Sequence, residues 1–304
     1  MSAVAAPARV EPALAPPPPV RRPKRKWAPV VLRSYTGIVI LYLILPIGLM
    51  IMYSFNKTNA ERVVLKWQGF TWEWYHPAAL FSIGDLTQAL VLSLEIAVLS
   101  TLLATILGVP IALALVRYHY PGRGSTDAVM FLNIAAPEIV MGAALLSFFV
   151  TLNIPRGFST ILIAHVMFNI AFVVVTVRAR LAGFDRSLEE VAQDLGAGPW
   201  TTFRKITLPL IWPGILAGAL LAFALSIDDF VITNFVAGTD TTFPLWVYGS
   251  AKVGTPPQVF VMGTLIFVTG VVLAIVFYVL QGRKGTKEEA DRVTASVALQ
   301  ASAE

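Results

Sequence analysis

Long apolar runs separated by short polar stretches dominate this chain. Runs of about twenty or more residues, the length that crosses about 30 Å of hydrocarbon as an α-helix, lie near residues 34–56, 88–116, 127–150, 157–178, 208–236 and 257–281, which predicts six spans. Lipid offers backbone amides no hydrogen-bond partner, so each span must be helical. Pro46, Pro110, Pro137 and Pro213 fall inside these runs and predict kinks. The fold class expected is an all-α membrane protein.

Composition agrees. The chain has 304 residues, 56% hydrophobic and 13% charged, with mean hydropathy +0.72, whereas about a quarter of a soluble domain is charged. It contains no cysteine, which excludes disulfides and thiolate chemistry, and His76, His119 and His165 are too scattered to form a metal cluster. Neither a bound metal nor a catalytic residue is expected. No Gly-x-x-x-x-Gly-Lys-Ser/Thr phosphate loop occurs, so the chain is not expected to hydrolyse ATP itself.

Charge sets the expected topology. Residues 1–33 hold the tetraproline Pro16–Pro19 and the basic residues Arg21, Arg22, Lys24, Arg25 and Lys26, without an apolar signal-peptide core. They read as a disordered basic tail that touches anionic lipid rather than nucleic acid. With that tail in the cytoplasm, Arg117, Arg123, Arg178, Arg180, Arg186, Arg204, Lys205, Arg283, Lys284, Lys287 and Arg292 share its side. Only Lys57, Arg62, Lys66, Arg156 and Lys252 lie opposite. An even number of spans then puts both termini, including a second tail at 283–304, in the cytoplasm of a multi-pass protein of the prokaryotic plasma membrane.

The segment 185–209, on the same side, is polar and patterned like two short helices. Leu195-Gly196-Ala197-Gly198-Pro199 can end one helix and turn the chain, after which Phe203 and Ile206 offer an apolar knob. Glu190, Ala192, Gly196, then Ile206, Leu208 and Pro209 after a nine-residue gap, resemble the EAA loop of binding-protein-dependent ABC importer permeases. Val191 departs from the family's usual Ala. The resemblance implies a type I importer permease fold over about residues 34–282. It also implies that the loop, with Phe203, docks on an ATPase subunit. ATP and Mg would then be bound by partner ATPase subunits and no cofactor by this chain. The outer-loop order Trp67-Gln68-Gly69-Phe70-Thr71-Trp72-Glu73-Trp74-Tyr75 is similar to that of spermidine/putrescine permeases, specifically the second of two non-identical permease subunits. Implied partners are a second homologous permease, two ATPase subunits and an extracytoplasmic polyamine-binding protein. Trp67, Trp72, Trp74 and Tyr75 are candidates to meet that binding protein, although an interfacial aromatic belt explains most of the cluster.

Four acids lie inside the expected spans, Glu95, Glu138, Asp228 and Asp229. An ionised side chain at the bilayer centre costs about 2.5–3.5 kcal/mol on insertion scales, so such groups face a cavity or a partner. Glu138 follows Pro137 beside a locally opened backbone, and meets either a substrate or a polar residue of a neighbouring helix. Asp228 and Asp229 sit in a Ser-hydrophobic-Asp-Asp segment similar to the family's. Adjacent helical residues point about 100° apart, so one is expected to face substrate and the other a structural partner. Phe223 and Phe230, seven apart and so on one helix face, supply either a ring wall for ammonium groups or simple helix packing. Glu95, on a different face from Ser93 and Ser100, is either a ligand or an interface acid. His165 has no acid at helical spacing and reads as a packing residue. Ala217, Gly218, Gly263 and Gly270 suit close helix contact.

Buried carboxylates without matching buried Lys or Arg suit a cation, and separated ones an elongated polycation such as putrescine or spermidine. The expected function is therefore the permease subunit of an ATP-driven polyamine importer. Alternatives are an importer of another cation, and a secondary transporter, which has no need of an EAA loop and should show an inverted repeat that this sequence lacks.

Overall fold

A computed structural model describes residues 28–58, 66–183, 185–277 and 279. Most of both expected tails, Arg62 and the basic residues beyond 280 lie outside the described residues. The chain divides into two units, Met1–Leu49 and Met50–Glu304. The first is described through most of α1 (Ala28–Ser54), a continuous apolar helix that contains Pro46.

In the second unit, a 3₁₀ turn (Glu73–Tyr75) and α2 (Pro77–Leu80) precede α3 (Gly84–Arg117), which is followed by α4 (Arg123–Ala135), α5 (Glu138–Thr151) and α6 (Phe158–Ala182). Then come α7 (Ser187–Asp194), α8 (Pro199–Thr202), a π-helical turn (Phe203–Thr207), α9 (Leu208–Asp228), α10 (Val231–Val236), α11 (Phe243–Val253) and α12 (Pro257–Phe277). The described residues hold five helices long and apolar enough to span, and up to six if one bent pair is a single span.

That pair is where the structure departs from the expected third span. Helices α4 and α5 meet at 110° instead of forming one helix across 127–150. Pro137 lacks an amide donor and excludes the helical region for the residue before it. Ala136 is accordingly extended, with φ −69° and ψ 134°, and the chain turns rather than kinks. Asp127 pairs with Arg178, and Asn133 donates to the Met167 carbonyl at 2.7 Å, so α4 is fixed to α6.

The expected fifth span is also interrupted. Helix α9 ends at Asp228, Asp229 is extended (φ −63°, ψ 117°), and α10 starts at Val231. At its other end the helical path starts earlier than expected. It runs from Pro199 through the π-turn, in which Leu208 N–H reaches the Phe203 carbonyl. The turn stands immediately before Pro209, which has no N–H to continue the normal ladder.

Helices α3, α6 and α9 form the centre of the unit, with Ala104, Leu115, Val173, Val177, Ile211 and Ile215 buried together. Small residues permit the close approach. A Cβ at Gly108 would lie 2.8 Å from Val173 Cγ1, and one at Gly214 2.7 Å from Arg180 Cβ. Gly218 also packs on Val173, and Gly263 faces the Met50 sulfur, as expected of small residues. Gly270, in contrast, has no neighbour within 4 Å of its Cβ position. A second cluster joins α3, α5, α6 and α10 through Ile96, Phe149, Ile161, Ile232 and Val236. The amphipathic α11 had no counterpart among the expected spans.

Candidate functional site

The two interruptions bring acids together. Glu138 is the first residue of α5, where the helix dipole favours a carboxylate, and its side chain is exposed on this chain. Asp228, the last residue of α9, is also exposed, and α5 packs on α10 just beyond it, Gly142 against the Phe235 ring. No backbone N–H caps the C-terminus of α9 among the described residues. Its last carbonyls therefore add partial negative charge beside Asp228.

Asp229 has a different environment. Its carboxylate accepts the backbone N–H groups of Ile232 (3.3 Å) and Thr233 (2.8 Å) and the Thr233 hydroxyl (2.6 Å), and so caps α10. Nε2 of His165, a residue only 3% exposed, lies 3.3 Å from the same carboxylate. The ring also contacts Thr233 Oγ1 through Nε2 at 2.9 Å and Ser226 Oγ through Nδ1 at 2.7 Å. Ser226 meets Ser100 at 3.0 Å, and Asn169 donates to Ser100 at 3.5 Å. A ring with its proton on Nε2 satisfies the chain: Ser226 donates to Nδ1, Ser100 to Ser226, and Nε2–H faces Thr233 and Asp229. This buried network ties α3, α6, α9 and α10 together.

Of the remaining acid and aromatic candidates, Glu95 is on the exposed side of α3, while Ser93 and Ser100 are buried, so the expected difference in face holds. Phe230 corrects an expectation. It lies beyond the end of α9, so it cannot share a helix face with Phe223. Its ring instead packs on Tyr248 with centroids 4.6 Å apart, and Lys252 Nζ sits 4.5 Å from the Tyr248 centroid.

The segment 185–209 forms the expected pair of short helices. Asp185 accepts the Ser187 N–H at 3.0 Å at the start of α7. These hydrogen bonds to Ser187 hold the Asp185 carboxyl below the ordinary aspartate range. At the other end Gly196 takes φ +87°, Ala197 N–H bonds to the Ala192 carbonyl and Gly196 N–H to that of Gln193. This is a Schellman stop, for which glycine is the favoured residue. Ala192 is buried and Glu190 exposed. Phe203 and Ile206 are half-buried, so the expected knob is corrected: the protruding apolar side chains are Leu195, 84% exposed, and Trp200, 71% exposed, flanked by Leu188 and Val191. An exposed apolar patch on short polar helices marks a protein contact surface. Leu208 is half-buried and Pro209 exposed.

A family model for the binding-protein-dependent transport system inner membrane component matches residues 104–286. The chain belongs to that family. The spermidine/putrescine transport system permease protein PotC of Haemophilus influenzae is 39% identical over 243 residues, covering 80% of this chain and 93% of the relative. The putrescine transport system permease protein PotI of Escherichia coli is 38% identical over 264 residues, covering 82% and 92%. Among solved structures, a bacterial ABC transporter involved in import of the polysaccharide alginate superimposes with TM-score 0.60 at 18% identity, covering 87% of this chain and 99% of that one. The fold is thus that of ABC importer permeases, in a multi-pass bacterial plasma-membrane protein.

In this transport component the aromatics of the 67–75 loop divide into two groups. Trp74 Nε1 donates to the Asn56 carbonyl at 3.0 Å, and the Tyr75 hydroxyl meets Ser54 Oγ at 2.7 Å, so both hold the loop to the end of α1. Trp67 and Trp72 remain exposed. Sequence reasoning missed Glu189, Arg117 and Thr207, which join below, and Tyr248. It also left His165 unpaired, because the partner acid stands on another element and spacing along one helix cannot reveal it.

Proposed function

We propose that this inner membrane component is the permease subunit of an ATP-driven importer for polyamines, in which Asp228 and Glu138 meet the cationic substrate. The observation that carries the reading is the pair of exposed carboxylates at two helix interruptions, beside the uncapped carbonyl end of α9. Interrupted helices are tolerated at membrane depth where they line a cavity or are buried in protein. Two separated negative centres match the spaced ammonium groups of spermidine or putrescine, the substrates in the relatives' names. Asp229 acts as the structural acid of the adjacent pair.

The chain would work with a second homologous permease, two ATPase subunits that carry ATP and Mg, and an extracytoplasmic polyamine-binding protein. Glu190, Leu195 and Trp200 would seat the ATPase on the cytoplasmic side, while Trp67 and Trp72 would face the binding protein. Closure of the ATPase pair would draw the α7 segments together and rock the permeases between outward and inward access.

Reconstitution of the complete complex in vesicles, with labelled putrescine and spermidine, tests this. Glu138→Gln with Asp228→Asn should lower uptake by at least about tenfold with the complex still assembled, the size expected when charge-assisted bonds are lost. Undiminished uptake refutes the site. ATP-independent uptake by the chain alone refutes the importer.

A further inference from the structure

One titratable side chain of the α7 segment is turned away from its contact surface. Adjacent helical residues point about 100° apart, and Glu190 faces outward while Glu189 is only 8% exposed. A carboxylate that far from water requires partners. Glu189 has two, and they come from different elements: the guanidinium of Arg117 and the hydroxyl of Thr207, both bonded to the same Oε1.

Both partners occupy the ends of central helices. Arg117 is the last residue of α3, a helix of 34 residues. Thr207, fully buried, closes the π-turn that leads into α9. Helices α3 and α9 pack with α6 around Leu115, Val177 and Ile211. The main chain leaves α7 through the Gly196 turn and reaches α9 only after α8 and the π-turn, whereas the Glu189 side chain meets the ends of α3 and α9 directly. A charge-assisted bond to a buried carboxylate is short and directional, and so gives α7 a direct link to both helices.

We propose that Glu189 is the joint through which movement of α7 reaches the spanning helices, with Arg117 and Thr207 as its two anchors. Glu189 is a positioning residue that acts through α3 and α9. The inference rests on the reading that α7 receives an ATPase subunit. A force applied at Leu195 and Trp200 is then passed to α3 by the ion pair and to α9 by the hydroxyl bond. Loss of the joint separates ATP hydrolysis from transport and leaves docking in place.

The test is the ratio of solute taken up to ATP hydrolysed, measured on the complete reconstituted complex with radiolabelled putrescine. Glu189→Ala should lower the ratio by at least about tenfold, and Thr207→Val, which removes one anchor, by about two- to fivefold, as expected for one lost hydrogen bond. Glu189→Gln keeps an acceptor for both anchors and should recover most of the ratio. The ATPase subunit should co-purify with every variant. An unchanged ratio in both Glu189→Ala and Thr207→Val overturns the proposal, as does loss of the ATPase subunit from either, which makes Glu189 a docking or folding residue. Should Glu189→Ala fail to accumulate, Thr207→Val and Glu189→Gln decide alone. An unmodified chain that retains no ATPase subunit refutes the coupling reading beneath the proposal, and is distinguished because it needs no substitution.

Discussion

The two adjacent aspartates should respond oppositely to neutralisation. Asp229 receives two backbone N–H groups and a hydroxyl, and stands 3.3 Å from a nearly buried imidazole. Asp229→Ala leaves those donors without an acceptor and uncaps α10. Loss of an N-cap costs about 0.5–2 kcal/mol, and a buried donor left without an acceptor about 1–3 kcal/mol. These terms overlap, so about 2–4 kcal/mol is the expected loss. At about 2–4 °C per kcal/mol that is a fall of about 10 °C in the unfolding midpoint. Asp229→Asn retains one oxygen for Thr233 and should lose about 1 kcal/mol, the worth of a single neutral hydrogen bond.

Asp228→Asn removes an exposed charge from a helix C-terminus, where the dipole disfavours a carboxylate by about 0.3–1 kcal/mol. Its midpoint should stay level or rise slightly while uptake falls. The assay is thermal unfolding of the purified chain in detergent, paired with vesicle uptake. A larger midpoint loss for Asp228→Asn than for Asp229→Ala refutes the assignment of roles.

Gly108→Val should destabilise the crossing of α3 on α6 by about 1–3 kcal/mol through overpacking against Val173. Gly270→Ala, with open space at its Cβ, should leave the midpoint in place. Gly196→Val places a β-branched residue at φ +87°, a strain of about 1–2 kcal/mol or more. It should reduce co-purification of the ATPase subunit, and retention at the wild-type level refutes the fixed turn. Asp185 is held below the ordinary aspartate range by its bonds to Ser187. Its bond to the Ser187 N–H is therefore complete above that range and lost as pH falls through its lowered value. Amide exchange at Ser187, corrected for the intrinsic rate, should accelerate only on the acid side, and Asp185→Asn should abolish that pH dependence.

Spans were legible where apolar length alone decides the outcome. Helices α3 and α6 lie within a few residues of the expected runs because the helical backbone continues through the whole apolar stretch. Hydropathy failed at 127–150 and 208–236 for one physical reason: apolar character persists through a break in the backbone. Ile134 and Ile139 flank the turn at Pro137, and Phe230 and Val231 follow the end of α9, so the average never falls. The proline itself was visible, but not whether it would bend or end the helix, which depends on what α6 offers α4. The Gly196 stop was legible because left-handed geometry has a residue signature, whereas the Glu189 joint was not, because Arg117 is 72 positions away.

The unexpected breaks are more informative than the spans that were correctly anticipated. Within hydrocarbon a helix that stops must place its terminal amides and carbonyls against protein or a polar cavity. At Asp229 the N-terminus of α10 is satisfied from within, by the aspartate itself. At Asp228 the carbonyl end of α9 has no such cap among the described residues, and a second acid stands at the start of α5, which packs on α10. An ionised carboxylate at membrane depth needs a cation or a polar cavity beside it. Among the described residues the arginines that pair with acids, Arg117 and Arg178, are bonded to Glu189 and Asp127. On the proposed reading, the negative charge at the two interruptions is available to a cation that arrives from outside, and a solute with ammonium groups at both ends would meet both acids at once. A singly charged amine of the same length gains only one of the two contacts. It should therefore compete with putrescine at least about tenfold more weakly, as the loss of one charge-assisted contact implies. Equal competition would show that the acids act independently, and would remove the argument for a polyamine.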